Sequence, residues 1–236
     1  MRYLVIIPTY NEKENIGKLI PQILLQDKGI EVLVVDDNSP DKTGELVEKL
    51  AQKNKRVHII HRKGKLGFGT AYIAGFKYAI KKDYSLIFQM DADFSHQPKY
   101  LPKMISAAKK YDLVLGSRLV RGGGVIGWPK YRYLTSKSAN LFSRKLLGLK
   151  PHDVTTGFRC YNRNVLKKID FNGIVCSGYA FLEELIYLTQ KAGFKIGEIP
   201  IIFVDRKFGK SKLGIKEILT SAKSIIKLYL EKKGTK

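Results

Sequence analysis

Cysteine is nearly absent from this 236-residue chain: only Cys160 and Cys176 occur, with no CxxC pair and no Cys/His spacing suited to zinc. That excludes a disulfide framework, argues against a structural zinc site and makes a reducing compartment the default. The four histidines, His58, His61, His96 and His152, include no i, i+4 pair. Long apolar runs are missing too, none approaching the ~18–20 residues that cross a bilayer. Met1-Arg2 leads straight into a strand-like segment rather than a secretory leader. Any membrane contact is therefore expected to be peripheral. Acids are scarce: 21 Asp and Glu stand against 43 Lys and Arg, a formal charge of +22. A field of that sign favours nucleic acid, acidic lipid headgroups or phosphorylated substrates, and composition does not choose among them. For the many lysines on helix faces, a solvated surface is explanation enough.

What is present is enough to fold. Hydrophobic residues make up 44% of the chain, which suits one substantial α/β domain. No internal repeat, low-complexity tract or linker divides residues 1–236. The first half alternates strand and helix patterns, the mark of a mostly parallel sheet flanked by helices. Strands are predicted at Arg2–Pro8, Ile30–Asp36, Arg56–His61, Ser85–Asp91, Asp112–Ser117 and, later, Ile196–Val204. Between the first two, Ile16, Leu19, Ile20, Ile23 and Leu24 recur at helical spacing, with Asn11 as expected N-cap and Glu14 completing a capping box. Asp41 is placed to cap a second helix, and another runs near Lys99–Lys110. Past Ser117 regularity ends: Gly122-Gly123-Gly124 reads as a flexible loop, and a basic, aromatic stretch follows to Arg144. The chain closes on an amphipathic helix within 215–236, striped by Ile215, Ile218, Leu219, Ala222, Ile225, Ile226 and Tyr229.

Three clusters carry chemistry. Met90-Asp91-Ala92-Asp93 follows an apolar run, so two carboxylates at i, i+2 can reach one hard divalent cation from a turn. Mg²⁺ or Mn²⁺ bridging a diphosphate needs few protein oxygens, since phosphates and waters complete its shell. Ser95 is positioned to add a hydroxyl or orient a water, and an Asp-rich surface turn is the plain alternative. Val34-Val35-Asp36-Asp37-Asn38-Ser39 puts further carboxylates at a strand's C-terminal end, the edge where open α/β sheets bind ligands. There Asp37 can accept from a base edge or a ribose hydroxyl. Pro8-Thr9-Tyr10-Asn11-Glu12 adds a flat ring, an acceptor and a helix start.

Taken together these strings resemble the inverting glycosyltransferases of the GT-A fold, and among them the dolichol-phosphate mannose synthases. The likeness continues through Gly116-Ser117-Arg118, Trp128-Pro129-Lys130-Tyr131-Arg132, Ser136, Thr156-Gly157-Phe158-Arg159 and Phe203-Val204-Asp205-Arg206 to Ser211-Lys212-Leu213, covering nearly the whole chain in order. The resemblance implies a GT-A-like sheet with residues 1–117 holding GDP-mannose, 118–214 the acceptor, and the last helix appended. Pro8, Tyr10, Glu12, Val35 and Asp37 would hold the guanosine half. Asp91 and Asp93, with the backbone of Ala92 nearby and Ser95 as a further ligand, would hold Mg²⁺ or Mn²⁺. Arg206 and Lys212 would grip the diphosphate or the loop over it. Arg118, Arg132 and Ser136 would bind the phosphate of dolichyl or polyprenyl phosphate, so that Asp91, Asp93 and Arg118 form the catalytic set. The chain departs from the pattern at Ser95, where some relatives carry Gln, and at Lys210, where some carry an acid.

Arginine forks match phosphate oxygens, and a phosphate already ionised near neutral pH needs no strong general base, unlike a sugar hydroxyl. Asp153 and Glu184 are expected to border the mannose or acceptor site, with a helix-face charge as the other reading of Glu184. Rival signals fail. Gly64-Lys65-Leu66-Gly67-Phe68-Gly69 lacks the third small residue of a dinucleotide fingerprint and follows the third strand, so it reads as a turn that approaches the donor or packs the helix. Gly209-Lys210-Ser211 lacks the upstream glycine of a P-loop. A nucleic-acid-binding module is disfavoured because acidic pairs sit at the strand ends. UDP-glucose or UDP-N-acetylglucosamine stays open as donor. The last helix has three readings: docking on its own core, lying on anionic membrane, or binding a membrane-embedded partner subunit. Attachment to the cytoplasmic face of a membrane is the expected location.

Overall fold

The computed structural model describes residues 1–176, 178–205 and 215–233. The chain begins β1 (Tyr3–Thr9), α1 (Lys13–Leu24), β2 (Ile30–Asp36), α2 (Thr43–Lys53), β3 (Val57–His61), α3 (Phe68–Lys81) and β4 (Leu86–Gln89). It continues α4 (Leu101–Ala107), β5 (Leu113–Ser117), β6 (Gly124–Ile126), α5 (Lys130–Leu147), β7 (Arg159–Asn162) and α6 (Arg163–Lys168). It ends α7 (Ala180–Lys191), β8 (Ile196–Pro200), β9 (Ile202–Val204) and α8 (Ile215–Lys233). Seven strands form one sheet in the order β3-β2-β1-β4-β7-β5-β8, parallel except for β7, which runs antiparallel to both β4 and β5.

Both faces of the sheet are covered, which is why its first strands read as continuous apolar runs rather than alternating ones. Along β1 and β2, Leu4, Ile6, Leu33 and Val35 pack with Tyr72 and Phe76 of α3, while Val5, Ile7, Val32 and Val34 pack with Ile16, Leu19, Ile20 and Ile23 of α1. The parallel pairing brings Thr9 opposite Asp36 and sets Ile6 beside Gln89. The C-terminal ends of β1, β2 and β4 thus share one edge, where ligands of such sheets bind.

Several expectations are corrected. Asn11 does not cap α1: it sits in the left-handed region at φ 60°, and Glu12 holds the N-cap position without a side-chain cap. The exposed N–H groups are satisfied from the next loop instead, Asn11 N by Ser39 Oγ, Glu12 N by Thr43 Oγ1 and Lys13 N by Asp41 Oδ2. Asp41 also accepts from Thr43 N, but from outside the N-cap, which is Lys42. The triglycine is a tight turn rather than a loose loop. Gly122 has φ +85°, and a Cβ on Gly123 would lie 2.6 Å from Ser117 O. The run Ile196–Val204 is two strands, because the chain leaves the main sheet at Ile201 and β9 pairs in parallel with β6 in a small second sheet. The basic stretch before Arg144 is the long helix α5, and β7 was not foreseen at all. Among the described side chains of α8, Ile225 is buried and Ala222 and Tyr229 half-buried as expected, Leu228 is buried though not foreseen, and Leu219 and Ile226 are exposed instead of inward. Ile225 and Leu228 join the core beside α7, and Cys176 Sγ donates to Ser224 O. Docking on its own core is therefore what α8 does along this face. Among the described residues no helix is long and apolar enough to cross a membrane.

Candidate active site

Two polar groups face each other across the sheet edge. The first is the turn after β4. Asp93 is buried, and its Oδ1 accepts from both the backbone N–H and the hydroxyl of Ser95. Asp91 is more open, its side chain 37% exposed. Its backbone N–H donates to His96 Nδ1 at 3.1 Å. His96 is buried, stacked on Phe158 at 5.1 Å and edge-on to Phe203 at 5.6 Å. Burial lowers its pKa against the pull of Asp91 and Asp93, and Nδ1, serving as acceptor, carries no proton. Its 3.6 Å approach to Asp91 Oδ2 is therefore a contact with a neutral ring. His96 is a brace that fixes the turn. Phe94, at φ 62°, lets the two carboxylates turn back toward the edge.

Asp91 and Asp93 thus form a two-carboxylate set, and among the described residues no cluster of three metal-ligating side chains exists. Such a set fits a hard cation whose remaining ligands are phosphate oxygens and water. Ser95, expected as a further ligand, spends its hydroxyl proton on Asp93 Oδ1 and so orients that carboxylate.

The second group is cationic. Arg118, buried at the end of β5, is gripped by the fully buried Asp153: Nε and Nη2 each donate to its carboxylate at 2.7 Å, and the backbone N–H does so at 2.9 Å. Nη2 also donates to Thr155 Oγ1. Burial opposes charge on both partners. The pair overcomes it, holding Asp153 below the usual carboxylate range and Arg118 above its own. Among the described residues Nη1 is the guanidinium nitrogen with no protein acceptor, and so the one left for a ligand. Arg132, on the first turn of α5, gives Nη1 to both oxygens of Asp205, at 3.1 and 2.9 Å. The guanidinium carbons of Arg118 and Arg132 lie over the Trp128 ring, 5.4 and 4.4 Å from its centroid. The two cations are therefore within about 10 Å of each other. Ser136 lies half-buried one turn along α5.

The two groups share one crevice. Asp91's charge adds to the upward shift of Arg118, and Phe203 touches both His96 and Trp128. Gly157 closes the link, since a Cβ there would sit 3.6 Å from Asp91 Oδ1. The 153–157 turn that holds Arg118 thereby also abuts the acidic turn. Arg159 sets that turn: fully buried, it donates to the carbonyls of Thr156, Val154 and Leu182.

The remaining expected residues are distributed unevenly. Asp37 is buried beside Arg62, whose Nη1 is 3.1 Å from Oδ1 yet off a hydrogen-bond axis, leaving Oδ1 without a hydrogen-bond donor. Burial raises its pKa, opposed by Arg62 and by the backbone N–H groups of Leu66 and Gly67, which hydrogen-bond the carboxylate. An acceptor of this kind at the edge suits a ligand N–H or hydroxyl. Asp36, its neighbour, is structural: it accepts from Thr9 Oγ1, Ser39 Oγ and Ser39 N. Tyr10 has the Lys65 ammonium 4.9 Å over its ring, and Glu12 accepts from Asn15. Val35 and Ala92 are buried in the core, so their backbones, not their side chains, are what a ligand could touch. Pro8 is half-buried at the end of β1. Glu184 borders neither group: fully buried, it accepts the backbone N–H groups of Val175 and Cys176. Arg206, Lys210, Ser211 and Lys212 lie outside the described residues. Arg62, Trp128 and Thr155 had no assigned role in the sequence reading, and nothing local marks Arg62 among so many basic residues. The glycine turn before α3 reaches Asp37 through the backbone N–H groups of Leu66 and Gly67, and within the first turn of α3 a Cβ on Gly69 would meet the Phe181 ring at 3.0 Å.

A family model described as glycosyl transferase family 2 matches residues 4–170. A polyprenol monophosphomannose synthase of Mycolicibacterium smegmatis is 45% identical, covering 90% of this chain and 81% of its own. An undecaprenyl-phosphate mannosyltransferase of Micrococcus luteus is 42% identical, covering 90% and 88%. Among solved structures, glucosyl-3-phosphoglycerate synthase of Mycobacterium tuberculosis with Mn²⁺, UDP and glucosyl-3-phosphoglycerate superposes with a TM-score of 0.68 at 18% identity, over 99% of this chain and 80% of that one. A mannosyltransferase of Pyrobaculum calidifontis with GDP-mannose and Mn²⁺ gives 0.60 at 16%, over 89% and 58%. At those identities the structures speak to the fold alone.

Proposed function

From the premise that this chain belongs to glycosyl transferase family 2, we propose that it transfers mannose from GDP-mannose to a polyprenyl phosphate, dolichyl phosphate included, with inversion at the anomeric carbon. The observation that carries this reading is the meeting of an aspartate turn and a two-arginine cluster in one crevice. The sequence relatives supply the sugar and the lipid class, since both are mannosyl transferases to polyprenol phosphates by name.

The residues divide the work. Asp37 accepts from the nucleoside at the end of β2, and Pro8, Tyr10 and Glu12 frame the same pocket, with residues 1–117 as the donor half. Arg206 and Lys212 are assigned to the donor diphosphate. Asp91 and Asp93 would hold Mg²⁺ or Mn²⁺ on the diphosphate, Ser95 and His96 fixing the turn. Bound there, the ion neutralises charge on the leaving group. Arg118 Nη1, Arg132 and Ser136 receive the acceptor phosphate in the half that runs from 118 to 214. An ionised phosphate oxygen attacks the anomeric carbon as the bond to GDP breaks, so no side chain has to take a proton. Positioning by Arg118, seated on buried Asp153, together with Arg132 is then the main contribution of the fold. Arg132 reaches that state by exchanging Asp205 for the phosphate.

The lipid must come from a bilayer, and two neighbouring helices suit a peripheral contact. On α5, Tyr131, Leu134, Leu141 and Phe142 are exposed, and α8 adds Leu219, Ile226 and Leu230. Exposed Lys130, Lys137, Lys145, Lys223 and Lys227 are interspersed, a pattern that favours an anionic cytoplasmic leaflet. A membrane-embedded partner subunit is the other occupant this face would take.

The test offers the purified protein labelled GDP-mannose, UDP-glucose and UDP-N-acetylglucosamine in turn with a short polyprenyl phosphate, followed by lipid extraction. Label from GDP-mannose alone is expected. Label from a UDP-sugar instead would overturn the donor assignment. Sedimentation with anionic but not neutral vesicles is expected in parallel.

A further inference from the structure

We propose that Trp128 is an acceptor-binding residue: its indole N–H is a third donor to the lipid phosphate, and its ring sets the spacing of Arg118 and Arg132. This rests on the reading of that cluster as the acceptor site and adds a residue to it.

Trp128 lies in the turn between β6 and α5, just ahead of Arg132. Its ring contacts both guanidiniums and packs edge-on to Phe203 at 5.3 Å. Two like charges within about 10 Å repel, and an aromatic face that attracts both cations offsets that repulsion. The ring thereby keeps together two arginines that Asp153 and Asp205 hold from separate elements. The decisive observation is the indole nitrogen itself. Nε1 is buried, and among the described residues it has no acceptor. A buried donor left unpaired is costly, and indole N–H groups usually find a partner when buried. The side-chain groups packed on its ring, two guanidiniums and a phenyl ring, give it no acceptor. An anion that enters between Arg118 Nη1 and Arg132 supplies the missing acceptor. A phosphate monoester, with three oxygens to share, can serve two guanidiniums and one N–H together.

Trp128 is the chain's one tryptophan, so the full-length ¹⁵N-labelled protein gives a single indole N–H resonance. Titrations with geranyl phosphate, inorganic phosphate and uncharged geraniol are compared, with binding measured separately by calorimetry. Geranyl phosphate is expected to move the indole resonance downfield saturably, inorganic phosphate to move it the same way more weakly, and geraniol to leave it in place. In turnover, Trp128→Phe keeps an aromatic face and removes the donor. It should raise KM for the polyprenyl phosphate about tenfold or more while GDP affinity stays at the wild-type value. If calorimetry shows geranyl phosphate bound while the resonance stays fixed, or moves equally with geraniol, the proposal is overturned and the acceptor-site reading stands. If geranyl phosphate does not bind at all, the acceptor-site reading fails and takes this proposal with it. The spectral result decides even if Trp128→Phe folds poorly.

Discussion

The acidic turn and the arginine cluster sit in one crevice but are built in opposite ways. Asp91, Asp93, Ser95 and His96 lie within six consecutive residues and brace one another. The cationic side takes Arg118 from the end of β5, Trp128 and Arg132 from around the start of α5, Asp153 and Thr155 from the turn before β7, and Asp205 from after β9. One side is local and opens to solvent at Asp91; the other is long-range, buried at Arg118 and Asp153 and part-exposed at Arg132 and Asp205. Mutations on the acidic turn should therefore report on chemistry with little effect on folding, while those in the cationic group mix the two.

The largest effect should come from the acidic turn. Asp91→Ala or Asp93→Ala is expected to lower turnover by about 10³-fold or more, since charge on the leaving group loses its counterion site. Circular dichroism should show the fold intact. EDTA should abolish activity and added Mg²⁺ or Mn²⁺ restore it; full turnover in EDTA would break the acidic half of the comparison.

Next is Asp153→Ala, which strands Arg118 as a buried, uncompensated charge. The expected loss is about 3–5 kcal/mol of stability, read as a lower urea midpoint. The same reasoning makes Arg118→Ala a poor probe of acceptor binding, because it would leave Asp153 stranded in turn. Arg132→Ala is the cleaner probe: its pair with Asp205 is part-exposed, so acceptor KM should rise with little change in stability or GDP affinity. A variant at Asp153 as stable as wild type would show that the buried pair is not what holds this side together.

Legibility in the sequence followed the same division. The six residues around Asp91 and Asp93 could be read as a unit because a strand end and an i, i+2 pair are local patterns. The first two strands were legible because burial on both faces gives long apolar runs. The cationic side left only scattered signs. Arg118 and Arg132 were singled out through family likeness; Asp153 was expected near the site but not as the partner that holds Arg118, and Asp205 is an ordinary acid until the fold closes. The short strand β7 escaped because its sequence, Arg159-Cys160-Tyr161-Asn162, has no β-branched residue and places a buried arginine in a strand. The N-cap expectation at Asn11 failed because Ser39, Asp41 and Thr43 reach across from another loop to do the capping.

A smaller effect sharpens the contrast at Glu183, on α7 behind the cationic side. Its carboxyl is buried, touched by Ser143 Oγ at 3.5 Å, with Oε2 lacking any hydrogen-bond partner among the described residues. Burial pushes its pKa up to about 7, with Arg159 opposing. A raised carboxyl pKa means that the folded state holds its proton where the unfolded chain has lost it. Stability should then be fullest below about pH 4.5 for this group, fall as pH rises toward 7, and level off above. The contribution is at most about 3 kcal/mol. Glu183→Gln should flatten that slope between pH 5 and 7 in urea titrations, and an unchanged slope would remove Glu183 as its source.

The smallest expected effect tests what Ser95 does. A ligand and an orienting donor are both hurt by Ser95→Ala, but differently in kind. If Ser95 orients Asp93, the carboxylates remain, and the variant should need about tenfold more metal for half-maximal activity, reaching nearly wild-type turnover at saturation. Ser95→Thr, which keeps the hydroxyl, should recover most of that loss. If Ser95 instead completed the ion's shell, its removal would alter metal preference as well as affinity, and saturation would not restore the rate. Titrating Mg²⁺ and Mn²⁺ against both variants separates the two. A parallel shift for both ions keeps Ser95 among the braces of a local, self-supporting turn.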